Sequence, residues 1–144
     1  MSITMKKLTP NLMVNDVRQT ITFYTDMLSC SLRMVVPADK SGVADAMADG
    51  VDYIYAQMAC GDIEIMFQEK NSLREDVPAF AEQDVGGSVA LYFEVTDIDA
   101  VYASLQGKVD VVKDLETAWY GMREFYIRDC NGYILCLAEQ SQAE

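Results

Sequence analysis

The chain has 144 residues, 51% of them hydrophobic, no histidine, and a formal charge of −12. A length of this order buries roughly two-thirds of the unfolded surface in one core, so a single domain over residues 1–144 is expected. The 23 acidic residues are spread along the chain as a solvated surface, which argues against nucleic acid and membrane as partners and serves either solubility or attraction of a cationic ligand.

Cys30, Cys60, Cys130 and Cys136 form no CxxC pair, and without histidine the usual zinc constellations cannot be assembled. A reduced, cytoplasmic setting is expected. The opening MSITMKKLTPNLMV has two lysines but no apolar stretch of signal-peptide length, and no run approaches the roughly 18 residues of a spanning helix.

Residues 8–14 read as a first strand, with Pro10 at its start. Asp16 and Gln19 form a capping box, and Val17, Ile21, Tyr24 and Leu28 follow at helical spacing. Residues 31–36, 53–59 and 63–68 read as three more strands, the last two joined at Cys60-Gly61-Asp62. Residues 37–50, PADKSGVADAMADG, form a flap, and residues 70–87, with Pro78 and Gly86-Gly87, a connection.

The second half repeats the order. Residues 88–95 read as a strand, Thr96 caps a helix with Asp99 at the capping-box position, and Ile98, Val101, Tyr102 and Leu105 supply its buried face. Gly107 ends the helix. Residues 109–112, 122–128 and 133–139 complete three strands, the last two joined through Asp129-Cys130-Asn131-Gly132. Val14-Asn15-Asp16-Val17 aligns with Val95-Thr96-Asp97-Ile98 at the two strand-to-helix junctions, and an internal duplication follows. The modules run over about 8–69 and about 88–139.

Strand parity selects candidate residues. Glu64, Met66 and Gln68 share one face of the fourth strand, with Ile63, Ile65 and Phe67 on the other, core-directed face. In the fifth strand Val89, Leu91, Phe93 and Val95 form the apolar set and Tyr92 faces the other way. Glu64 has three readings: a general base, an anchor for a ligand cation, or a structural carboxylate. The loop Thr117 to Arg123 holds the only tryptophan, Trp119, and either closes over a ligand or packs on the sheet. Tyr53 and Tyr55 lie on one face of the third strand and Met58 on the other, and parity does not say which face is functional.

The run Leu12-x-Val14-x-Asp16-Val17 leading to Phe23-Tyr24-x-Asp26-x-Leu28 resembles the opening of the vicinal oxygen chelate superfamily, which includes glyoxalases, ring-cleaving dioxygenases and bleomycin resistance proteins. Phe125-Tyr126-x-Arg128-Asp129-x-Asn131-Gly132-Tyr133 is similar to its final hairpin, so the resemblance spans nearly the whole chain. It implies an α+β fold of two βαβββ modules whose curled mixed sheets form a cleft, often completed by a homodimer. Metal-dependent members place a His and a Glu from each half in that cleft. The matching positions here are Thr9, Glu64, Ser88 and Cys136, of which only Glu64 is a competent ligand, so no metal and no cofactor are expected. Cys136 reads as a small buried thiol.

These readings point to metal-free binding of a small cationic or aromatic molecule, as in antibiotic resistance by sequestration. The alternative is a metal-independent isomerase or lyase with Glu64 as general base, and a third reading is a sensor or accessory subunit with a vestigial cleft. The expected site is Glu64, Met66, Tyr92, Trp119 and Arg123, with a small-molecule ligand and a homodimer.

Overall fold

The computed structural model describes residues 2–141. The chain divides between Val85 and Gly86 into two units. The first holds β1 (Asn11–Val14), α1 (Val17–Leu28), β2 (Ser31–Pro37), β3 (Tyr53–Cys60), β4 (Ile63–Glu69) and α2 (Lys70–Asp76). The second holds β5 (Ala90–Glu94), α3 (Ile98–Leu105), β6 (Asp110–Thr117), β7 (Met122–Arg128) and β8 (Ile134–Gln140). Each contains a four-stranded mixed sheet, in the orders β1-β4-β3-β2 and β5-β8-β7-β6. In both, the first strand pairs parallel with the last and the remaining pairs are antiparallel, as duplication requires.

In the first unit, α1 begins where expected because the Asp16 carboxylate accepts the Gln19 N–H at 3.0 Å. Its buried stripe is Val17, Thr20, Ile21 and Tyr24, and Tyr24 packs against Phe67 of β4 with ring centroids 4.7 Å apart. Ile65 and Phe67 are buried on that face, and the register sets Met58 beside Ile65 and Ala56 beside Phe67. Tyr55 and Gln57 instead pair with Gln68 and Met66 on the face turned away from α1. The face left open by parity in the third strand is thereby assigned: Met58 belongs to the core.

Three expectations need correction. Residues 70–87 are not all connection: Glu69 accepts the N–H groups of Asn71 and Ser72, which starts the seven-residue α2, and a 3-10 turn at Pro78–Phe80 follows. Thr96 does not cap α3. Asp97 occupies that position in a left-handed conformation, φ 60°, with no side-chain cap bond, and Glu139 of β8 accepts the N–H groups of Asp97 and Ile98 instead, each at 3.0 Å. Finally, Cys30 and Cys60 form a disulfide. The pairing of Ser31 with Ala59 brings their neighbours together across β2 and β3, a proximity that Cys spacing does not reveal. Cys130 and Cys136 take no part in a disulfide.

In the second unit, α3 buries Ile98 and Leu105, and Tyr102 meets Phe125 edge-on at 5.0 Å. β6 extends to Thr117, five residues beyond the expected end at Val112. Gly86 lies against the β7–β8 turn, where a Cβ would stand 2.8 Å from the Asn131 carbonyl oxygen, so this glycine is required by close approach. The turn itself is closed by the Asp129 carboxylate, which accepts from the N–H groups of Asn131 and Tyr133.

Candidate functional site

Each sheet has one face packed by its own α1 or α3 and one face turned away from it, and the second carries the polar side chains. In the first unit Glu64, Met66 and Gln68 share that face, as parity requires, with Tyr55 and Gln57 beside them. Lys7 forms an ion pair with Glu64, and Gln57 Nε2 donates to its other oxygen at 3.1 Å. The Glu64 charge is therefore compensated within the chain. Asn11 Nδ2 donates to Gln68 Oε1, whose amide in turn donates to Ser72 and Asp76. The buried Asn11 Oδ1 has no hydrogen-bond partner among the described residues.

In the second unit Tyr92 of β5 pairs with Cys136 of β8, which pairs with Tyr126 of β7. Phe125 and Ile127 turn to the α3 side, so Glu124 and Tyr126 lie on the face of Tyr92 and Cys136. Glu124 is only 3% exposed. It accepts from the Tyr92 hydroxyl at 3.0 Å and from the Tyr120 hydroxyl, and it makes no ion pair among the described residues. Tyr92 and Tyr120 are themselves 48% and 49% exposed, so a buried carboxylate sits behind two half-exposed tyrosines whose hydroxyls turn in to it.

The carboxylate leaves its mark on its neighbours. Burial, then the hydrogen bond to Glu124, raises the Tyr92 phenol above its ordinary range. The hydrogen bond to Glu124 chiefly pushes Tyr120 up to about 12. Burial pushes the Cys136 thiol up to about 11, against the opposing hydrogen bond with Tyr126, so it is a protonated thiol at neutral pH and no activated nucleophile. These donors all keep their protons and face one acceptor.

The five expected site residues fall differently. Glu64 and Met66 share one face in the first unit, and Tyr92 lies on the corresponding face in the second. Trp119 stands in the β6–β7 turn, 95% exposed, with its ring edge-on to Tyr120 at 5.3 Å. Arg123 has the parity of Phe125, which places it on the α3 side of the sheet, opposite Tyr92, where it pairs with Asp99 of α3 at 2.9 Å. Tyr92 and Arg123 are not brought together. Glu124 is the residue that sequence reasoning passed over, although the alternation in Arg123-Glu124-Phe125-Tyr126-Ile127 carries the signal.

A separate crevice of about 400 Å³ in the first unit is lined by Asp16, Arg18, Asp52, Tyr53 and Glu69 among others, and not by Glu64 or Met66. Its groups serve structure. Asp16 and Glu69 cap helices, and the Arg18 guanidinium donates to the Ala48 and Val51 carbonyls and lies over the Tyr53 ring, tying the 37–50 flap to α1.

The family model described as Glyoxalase/Bleomycin resistance protein/Dioxygenase superfamily matches residues 6–137. The chain belongs to this superfamily. Among solved structures, it is similar to a protein of unknown function from Agrobacterium tumefaciens, with 23% identity over 96% of this chain and 97% of that one and a TM-score of 0.71. It is similar to a glyoxalase/bleomycin resistance protein/dioxygenase from Nocardioides, with 18% identity over 99% and 89% of the two chains and a TM-score of 0.70. The bleomycin-binding protein of Streptomyces verticillus, solved with copper(II)-bleomycin, gives 19% identity over 99% and 100% and a TM-score of 0.56. At these identities the likeness is one of fold. No curated protein sequence matches the chain.

The superfamily's metal positions do not fit a metal here. Glu64 is ion-paired, Cys136 is a buried thiol pushed toward its protonated form, and the chain has no histidine. Among the described residues no three His, Cys, Asp or Glu side chains form a group that could hold an ion. None of the helices among the described residues is long and apolar enough to cross a membrane.

Proposed function

We propose that this superfamily member binds a small cationic or aromatic molecule against the helix-free face of the sheet in its second unit, as a homodimer and without a resident metal. The observation that carries the reading is the second-unit face, where Tyr92, Tyr126 and Cys136 gather around the buried Glu124 carboxylate, which makes no ion pair among the described residues. Such a face offers aromatic surface and an acceptor, the two things a planar or cationic ligand uses.

The test is a thermal-shift panel of cationic antibiotics, aromatic amines, neutral aromatics and divalent metals. Stabilisation by members of the first three groups supports binding, because a ligand that prefers the native state raises its melting temperature in proportion to its occupancy. A panel in which only divalent metals stabilise the protein overturns it.

A further inference from the structure

Resting on that reading, we infer that the Tyr92–Glu124–Tyr120 cluster is a seat for an organic ammonium ion, with Glu124 as its counter-charge and the phenol rings as its walls. The 23 acidic residues make a general attraction for cations, but nearly all of those among the described residues are at least partly exposed. Glu124 and Asp129 are the buried ones among the described residues, and Asp129 is committed to the backbone of its own turn. Glu124 alone combines a stripped hydration shell with neutral donors that a ligand can replace.

The exchange balances hydrogen bonds. An ammonium N–H takes the place of the Tyr120 hydroxyl on Glu124, and that hydroxyl, on a half-exposed residue in the β6–β7 turn, returns to water. The bond that forms is charge-assisted at both ends, while the one it replaces is charge-assisted at one end only, and the low local dielectric strengthens the difference. The Tyr92 and Tyr120 rings are placed to receive the flanking carbons and the charge. A ring on this sheet already serves a cation: Lys113 Nζ lies 5.7 Å from the Tyr126 ring centroid. The raised phenols agree with this assignment, since they remain donors and rings, not anions, throughout the neutral range.

The experiment is isothermal titration calorimetry of the full chain with benzylammonium, benzyl alcohol and benzoate at low ionic strength, repeated with Glu124→Gln, Tyr120→Ala and Asp62→Asn. Benzylammonium should bind best to the wild type. Glu124→Gln should weaken it on the order of ten- to a hundredfold and leave benzyl alcohol unchanged. Tyr120→Ala, at a half-exposed turn position that does not threaten the fold, should weaken it several-fold. Asp62→Asn removes the same charge from an exposed turn and should change nothing. Benzyl alcohol binding as tightly as benzylammonium would overturn the ammonium seat while leaving small-molecule binding intact. Equal loss in Asp62→Asn and Glu124→Gln would reduce the attraction to net charge and overturn the seat. If none of the three compounds binds, both the seat and the reading beneath it fall.

Discussion

Glu69 and Glu139 hold equivalent positions at the ends of β4 and β8, and each carboxylate closes a helix N-terminus, but not the equivalent helix. Glu69 caps α2, which follows it in the chain, whereas Glu139 reaches back 41 residues to the first turn of α3. The first module can spare its glutamate because Asp16 caps α1. The second cannot, because Asp97 adopts a left-handed conformation and makes no side-chain cap bond.

This difference predicts a pH signature. The N–H groups of Ile98 and Asp97 hold the Glu139 carboxyl below the ordinary carboxylate range. A depressed folded-state pKa contributes stability above the unfolded value that is lost as pH falls through the folded one. Glu139→Gln should therefore lower the melting temperature at pH 7 by a few degrees, about the effect of one lost cap, and the gap should close as pH drops below about 4. A gap that stays constant down to pH 2 would assign the effect to something other than the charge.

The Cys30–Cys60 bond closes a loop with a sequence separation of 30. On chain-entropy grounds its reduction should cost about 2–4 kcal/mol of unfolding free energy. Urea titrations with and without reductant measure this, and non-reducing peptide mapping locates the bond. Cys130 and Cys136 should stay unlinked.

Phe125 is fully buried between its sheet and Tyr102 of α3. Phe125→Ala should cost about 3–5 kcal/mol through lost burial and the cavity left behind. Chemical denaturation of the variant reads this directly, and a loss below about 1 kcal/mol would contradict the packing described.

Trp119 is the only tryptophan and nearly fully exposed, so its emission should be red-shifted and readily quenched by acrylamide in the free protein. A ligand seated beside Tyr120, whose ring meets Trp119 edge-on, should shift that emission. Saturating ligand without spectral change would leave Trp119 outside the site.

Much of this architecture was legible in the residues themselves. The Asp16 cap, the α1 stripe, the strand–helix–three-strand succession of each module and the parity of Glu64, Met66 and Tyr92 follow from local chemistry with periods of 3.6 and 2. What escaped depends on contacts distant in sequence. The capping of α3 by Glu139 and the Cys30–Cys60 bond arise only after strands pair. The Lys7 partner of Glu64 lies in a segment without periodicity. Arg123 reads both as the end of the 117–123 loop and as part of the 122–128 strand, and its place in β7 turns it to the helix side. Glu124 is legible by the same alternation that selects Tyr92.

Calorimetric titration of chelator-treated protein with benzylammonium, before and after adding nickel, zinc or manganese, tests the central claim most directly. Metal-free ligand binding predicts saturable heat in the chelated protein and the same affinity after metal is added. No binding until metal is restored would contradict it.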